Sequence, residues 1–403
     1  MRQLIPLSAG AISSVAASFN VPGAADNLSW NTSATNVSGL LVVSGSFTKI
    51  YAYSNTTQAS GSGYNFAVRS GGTARLTSTS LIGTSSLTGN VINGFVATAP
   101  ISIDIRSSVI GTPVRSSVQL MLELNTSESN KAAYIGTSGG NGIVSTGASR
   151  FNYLLTPAPS VPVDNELARK NIIPMDGTIT NFAVRLTASP GSLAAAFFSI
   201  YKNGVEQAQS KGSISGNTTS FTASNLAISV LAGDTLTFCQ ASSIGTPTGG
   251  IPTYGIAIVP TKENTFAWVG SSPSIASNFY NTFYGNSVAD SNEANRQNIN
   301  LSPYPIVMNN FFIDTTTAPG GTAQRNYIIR KNGQDTPVVL SVVGTNKTAN
   351  DTINTIVLAP MDSISIKSSV VAGTPVVPSL TTWAAACITP TNSNNLNILG
   401  LGT

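Results

Sequence analysis

Carboxylates, thiols and the arginines near them are the groups in this chain that could do chemistry, and they are few. Its 403 residues include 16 Asp and Glu, 20 Lys and Arg, two cysteines and no histidine. Without imidazole there is no Ser-His-Asp triad, Cys-His dyad or His-Glu-x-x-His zinc site. The usual side chain for sensing neutral pH is missing too. Asp104, Asp234 and Asp362 lie near corresponding places ahead of a recurrent loop. They read as strand-edge or turn caps in preference to a cation site. Glu166 and Glu293 recur with Arg169 and Arg296 three residues later. That spacing suits a local ion pair on a short helix, or a contact between neighbouring domains or subunits that is made twice. Cys239 and Cys387 fall at different places in their surroundings and read as semi-buried thiols, with a cross-domain disulfide as the alternative. The sequence predicts no catalytic residue, no cofactor and no metal site.

The densest aromatic group is Phe266, Trp268, Phe279, Tyr280, Phe283 and Tyr284. It suits a core or a subunit interface, where large rings bury well; a stacking platform for sugars is the other reading. Asn-x-Ser/Thr triplets begin at Asn27, Asn31, Asn36, Asn55, Asn125, Asn217, Asn346 and Asn350. They signify glycans only on a eukaryotic secretory route.

These residues must be positioned by something that repeats. Ser107-Ser108-Val109-Ile110-Gly111-Thr112-Pro113 returns as Ser242-Ser243-Ile244-Gly245-Thr246-Pro247 and as Ser368-Ser369-Val370-Val371-Ala372-Gly373-Thr374-Pro375. Lys202-Asn203-Gly204 returns as Lys331-Asn332-Gly333, and Ser189-Pro190-Gly191 as Ala318-Pro319-Gly320. Asn165-Glu166 returns as Asn292-Glu293, and Ala148-Ser149-Arg150-Phe151 as Ala276-Ser277-Asn278-Phe279. Landmarks in one order at one offset predict three tandem units, 1–130, 131–262 and 263–403, the first divergent. A period of roughly 130 residues is domain-sized, so each unit should own a core.

Period-two alternation dominates each unit. Ile101-Ser102-Ile103-Asp104-Ile105 and Ser363-Ile364-Ser365-Ile366 place isoleucines on one face, as half-buried strands do. Asn-Gly between strand-like runs predicts a type I′ hairpin, and Pro-Gly a type II turn. Gly-Thr-Pro reads as a loop that ends pairing before the last strand. Helical signal is confined to Asn165 to Lys170 and Ser291 to Gln297. The predicted fold is all-β: three tandem antiparallel β-sandwiches, with jelly rolls favoured because about 130 residues suit eight strands better than seven.

Composition narrows the function. Charged residues make up 9% of the chain, against about 25% in an ordinary globular protein. The surface polarity must come from Ser, Thr, Asn and Gly. The net charge of +4 is not gathered into a basic cluster, so nucleic acid is not an expected partner. No apolar run reaches the ~18 residues of a membrane span, and the N-terminal stretch, interrupted by Pro6 and Ser8, reads as mature sequence.

The run Asn181 to Leu186, Ser189-Pro190-Gly191, Phe198 to Gly204, Ala232 to Leu236 and Ser243 to Pro247 resembles a β-sandwich repeat of tailed-bacteriophage and other viral surface proteins. The third unit carries the same turns in the same order; the first lacks Pro-Gly and Lys-Asn-Gly. The general shape is similar to the trimer-forming jelly rolls of the tumour necrosis factor and complement globular-head type. The resemblance implies a non-enzymatic virion protein: a capsid component, decoration protein, head fibre or spike on the virion surface. Its expected partners are copies of itself and other capsid proteins, with host-surface glycans as a further candidate. The alternative is an extracellular surface-layer or carbohydrate-binding adhesin. Three similar domains allow either a pseudo-threefold cluster or a linear rod, and the sequence leaves that choice open.

Overall fold

A computed structural model describes residues 1–12, 18–20, 38–70, 73–77, 81–82, 86–97, 99–113, 117–128, 130–137, 149–156, 162–245, 247, 250–272, 275, 278–286 and 288–389. The triplets at Asn27, Asn31 and Asn36 lie outside the described residues. The described chain is built from strands that pair antiparallel, apart from the two-residue edge strand Gly285–Asn286, which pairs Thr265–Ser272 in parallel, with short 3-10 turns as its helical segments. The strands form six sheets, and each sheet draws on one stretch of sequence: residues 2–126, 132–260 or 265–388.

The middle stretch shows the pattern. One sheet runs Ala132–Thr137, Pro252–Pro260, Gly177–Leu186, Ser220–Val230. The other runs Arg150–Tyr153, Thr235–Ile244, Gly191–Lys202, Val205–Glu206; Asn171–Ile172 extends the first of these strands and Gly212–Gly216 the last. With split strands counted once, the orders in chain sequence are 1-8-3-6 and 2-7-4-5, a jelly roll. The first stretch repeats it with Arg2–Ala11, Ser117–Thr126, Gly45–Ser54, Ser86–Ala97 facing Ser18–Asn20 and Gly39–Leu41, Ile101–Ile110, Gly63–Ser70, Thr73–Thr77 and Leu81–Ile82. The last stretch repeats it again. Thr265–Ser272, Thr381–Ile388, Ile306–Thr315, Thr348–Asp351 and Ile356–Leu358 face Tyr280–Thr282 and Asn298–Ile299, Ser363–Ala372, Gln324–Lys331, Gln334–Val343.

Alternation supplies the inner faces. Phe182, Val184, Ile256, Ile258, Phe198, Ile200 and Phe238 meet between the middle sheets, and Phe238 stacks on Tyr254 at 3.8 Å. The turns adopt the conformations their residues favour. Asn203 and Gly204 (φ 51° and 82°) and Asn332 and Gly333 (51° and 75°) are left-handed pairs, as a type I′ turn requires. The glycine of each recurrent loop is left-handed too, at 61°, 63° and 66° for Gly111, Gly245 and Gly373. It closely follows the seventh strand in every unit.

The strand registers correct two sequence alignments. Arg69, Tyr201 and Arg330 lie opposite Asp104, Thr237 and Ser365. Asp104 therefore sits inside a strand, and only Asp234 and Asp362 share a turn position. Phe151 lies opposite Cys239 and Tyr280 opposite Lys367, so Tyr280, not Phe279, is the counterpart of Phe151. The central strands fix this equivalence, because Ser199 faces Cys239 and Ile328 faces Lys367.

Candidate functional site

The three sandwiches meet in a ring, and their junctions hold specific side-chain arrangements. Around the centre, the first strand of each unit reaches the next. Gln3 Nε2 donates to the Ala133 carbonyl (2.7 Å) while Ala133 N–H donates to Gln3 Oε1 (2.8 Å). Ala267 N–H donates to the Tyr134 hydroxyl (2.7 Å). Trp268 Nε1 donates back to the Leu4 carbonyl (3.3 Å). The first unit thus bonds the second, the second the third, and the third the first. The hollow between these strands holds only about 50 Å³, room for a few waters and no organic ligand.

Two of the junctions seat the second strand of one unit on the outer face of the 1-8-3-6 sheet of the next. Gly39–Leu41 lies on the strands of Ala133, Ala183 and Gly255. Asn171–Ile172 lies on those of Val269, Ala384 and Phe312. In the third junction Gln119, on the first unit's last strand, donates to the Gln297 carbonyl (2.6 Å) and accepts from Ile299 N–H (2.9 Å). Small residues set the separation. A Cβ on Gly255 would fall 2.0 Å from the Leu40 carbonyl oxygen. Buried Ala133, Ile135, Ala183 and Ala257 share an apolar cluster with the first unit's core, and Leu4, Tyr51 and Met121 share one with the cores of the other two. The junctions are therefore apolar over much of their area. Lys170 closes one of them on Asp314 (2.5 Å), and Thr389 Oγ1 donates to the Arg2 carbonyl (3.0 Å), bringing the two ends of the described chain together.

The residues singled out by sequence divide between junction, core and turn. Trp268 lies at the centre of the ring, 5.5 Å from the Tyr284 ring, and both are buried. Phe266 and Phe283 are buried in the third unit's core, while Phe279 and Tyr280 are half-buried. The four buried rings are closed to a sugar arriving from solvent. Glu166 and Glu293 begin short 3-10 turns whose first N–H groups are capped by Asn165 and Asn292. Both glutamates turn to the sheet: Glu166 accepts from Thr237 (3.1 Å), and Glu293 from Ser365 (2.7 Å) and Arg330 (2.9 Å). Arg169 lies over the Tyr153 ring at 5.5 Å, and Arg296 sits 3.6 Å from Asp290. In the first unit Asp104, at the strand position of Ser365, supplies the carboxylate itself, 3.6 Å from Arg69. Burial pushes its pKa up to about 6 against the pull of Arg69.

Asp234 and Asp362 clasp the hairpins. Asn203 and Asn332 each donate to the aspartate (2.7 Å in both) and accept from the following strand's N–H (2.8 Å in both). Cys239 and Cys387 are buried and free; burial raises the Cys239 thiol to about 11 and pushes Cys387 higher still. Neither is a thiolate near neutrality, so neither is a ready nucleophile. No group of three or more Cys, Asp or Glu among the described residues is placed to hold a metal ion. No helix among them is long and apolar enough to cross a membrane.

Sequence reasoning missed Gln3, Gln119, Gly255, Tyr134 and Lys170. A signal existed for some of them. Tyr254 to Ile258 and Trp383 to Cys387 are apolar or small at every position, and every one is buried. A strand without a polar face is covered on both sides. The chain matches no protein-family model, and no curated protein is significantly similar to it.

Proposed function

We propose that this chain is a non-enzymatic structural protein of a virus particle, a capsid component or a decoration, fibre or spike on its surface. One observation carries the reading: three jelly rolls close into a ring through apolar, close-packed junctions, giving a preassembled trimer-like block in a single chain. A molecule with 9% charged residues sheds little bound water and meets little self-repulsion when copies crowd together. Copies of itself and other capsid proteins are the proposed partners. Mass spectrometry of purified virions, with immunogold labelling of intact particles, tests the proposal. Many copies per particle at the outer surface are expected. Absence from virions, with the protein found instead on cell envelopes, would overturn it in favour of a surface-layer or adhesin role.

A further inference from the structure

The three junctions are not alike, and the difference isolates one groove. In every unit the third strand carries a bulge in the same region, at Thr48 before Lys49, at Thr180 before Asn181, and at Asn310 with Phe311. The strand registers also align Arg2, Lys131 and Thr265 at the start of the first strands. Where the third unit meets the first, this region is filled. The loop entering the third unit's bulged strand, residues 300–305, is two residues longer than its counterpart at 173–176. It delivers Tyr304, whose ring has the Arg2 guanidinium at 4.1 Å and the Lys49 ammonium at 5.6 Å. Where the first unit meets the second, Lys131 donates to Asn181 (3.3 Å) and pairs with Glu128.

Where the second unit meets the third, the short loop brings Met175 and Asp176, and the two flanking cations are replaced by Thr265 and Asn310. A groove of about 540 Å³ is left, with Met175, Ala386 and Ile388 as apolar lining and Asp176, Lys262, Asn309 and Asn310 as polar lining. That is the size of a small-molecule site. Asn310 is left-handed (φ 50°), and neither Lys49 nor Asn181 shares this conformation. A bulge re-aims side chains, and asparagine tolerates this backbone state better than other side chains do. The side-chain amides of Asn309 and Asn310 have no hydrogen-bond partner among the described residues. Asp176 uses one carboxylate oxygen to accept from Ala232 N–H (2.8 Å).

We propose that this groove binds a saccharide residue. A sugar ring offers hydroxyls that both donate and accept along one edge and an apolar C–H face. Two amides and the second oxygen of the Asp176 carboxylate match the edge, and the small exposed parts of Met175 and Ile388 meet the face. An aromatic plug like Tyr304 is disfavoured because both of its cations are gone. A phosphate is disfavoured because Lys262 is the single cation among the groove's lining residues and the Asp176 carboxylate offsets it. The inference is independent of where the protein resides, so virion localisation and sugar binding succeed or fail separately.

The test is a glycan array probed with the full chain, followed by saturation-transfer NMR with methyl glycosides of glucose, galactose and N-acetylglucosamine. Binding by at least one saccharide is expected, with affinity falling about tenfold or more in Asn310→Gly and Asp176→Asn, as loss of a hydrogen bond to a buried or charged partner predicts. Asn310→Gly keeps the left-handed backbone, and thermal melts confirm that both variants fold. No bound saccharide on either assay, or binding unchanged in both folded variants, overturns the proposal.

Discussion

Individual residues carry two kinds of obligation in this molecule, steric and electrostatic. The glycine of each recurrent loop must be left-handed and must admit a neighbour. A Cβ on Gly245 would fall 2.5 Å from the Leu193 carbonyl oxygen, whereas one on Gly373 would meet Ala323 at 3.1 Å. Left-handed backbone alone costs a non-glycine residue about 1–2 kcal/mol. Gly245→Ala should therefore lower stability by more than that and Gly373→Ala by about that much, as read from urea denaturation midpoints. Asp104 carries the electrostatic obligation. Its folded pKa, raised to about 6 by burial, lies above the unfolded value near about 4. The folded state thus binds more protons between those values, and stability from this group rises as pH falls from about 7 toward 4. Asp104→Asn should flatten that part of the stability–pH curve in urea titrations run at each pH; a curve of unchanged slope would refute the assignment.

Among the elements, the hairpins are the most legible part of the fold. Asn-Gly announces positive φ at two successive residues, and Asn203-Gly204 and Asn332-Gly333 deliver it. The clasp to Asp234 and Asp362 is less legible, because the partner lies about thirty residues away along the chain and only folding brings it near. Asn332→Ala loses the tolerated backbone state and two hydrogen bonds, and should cost about 1–3 kcal/mol; a thermal melt of the variant measures it. The carboxylate beside the central arginine shows a different limit. Glu293 approaches Arg330 from a 3-10 turn, but Asp104 approaches Arg69 from within the strand. Matching motifs by order along the chain aligns Asp104 with the wrong aspartates, since the structure preserves the pairing and not its sequence position. Strand alternation locates the buried faces correctly. It cannot say what covers the outer face of the 1-8-3-6 sheets, because burial by a neighbouring sandwich leaves the same small apolar residues as burial by anything else.

The whole molecule is a ring, and two measurements report on it. Closure predicts a radius of gyration of about 22 Å in small-angle scattering, the value for a compact chain of this length; a rod of three sandwiches would be clearly larger. The apolar clusters that run across the junctions predict coupled unfolding, with the sandwiches melting together in calorimetry. Gly255→Val should uncouple them. Its side chain cannot share space with the Leu40 carbonyl, so the first sandwich is levered off the second, the radius grows, and the melt separates into two transitions.

The meeting of Thr389 with Arg2 gives this ring a property that a trimer of identical chains lacks. In a homotrimer a substitution at one junction is made at all three, so a cleft opened for one purpose weakens the assembly three times over. Here each junction is written separately in the gene. One could become a Tyr304 plug, another a site where Lys131 is held by Glu128 and Asn181, and the last an open groove, while the other two went on holding the ring shut. Linking three copies in one chain thus freed symmetry-related positions to diverge, and it fixes the number of odd sites at one per ring.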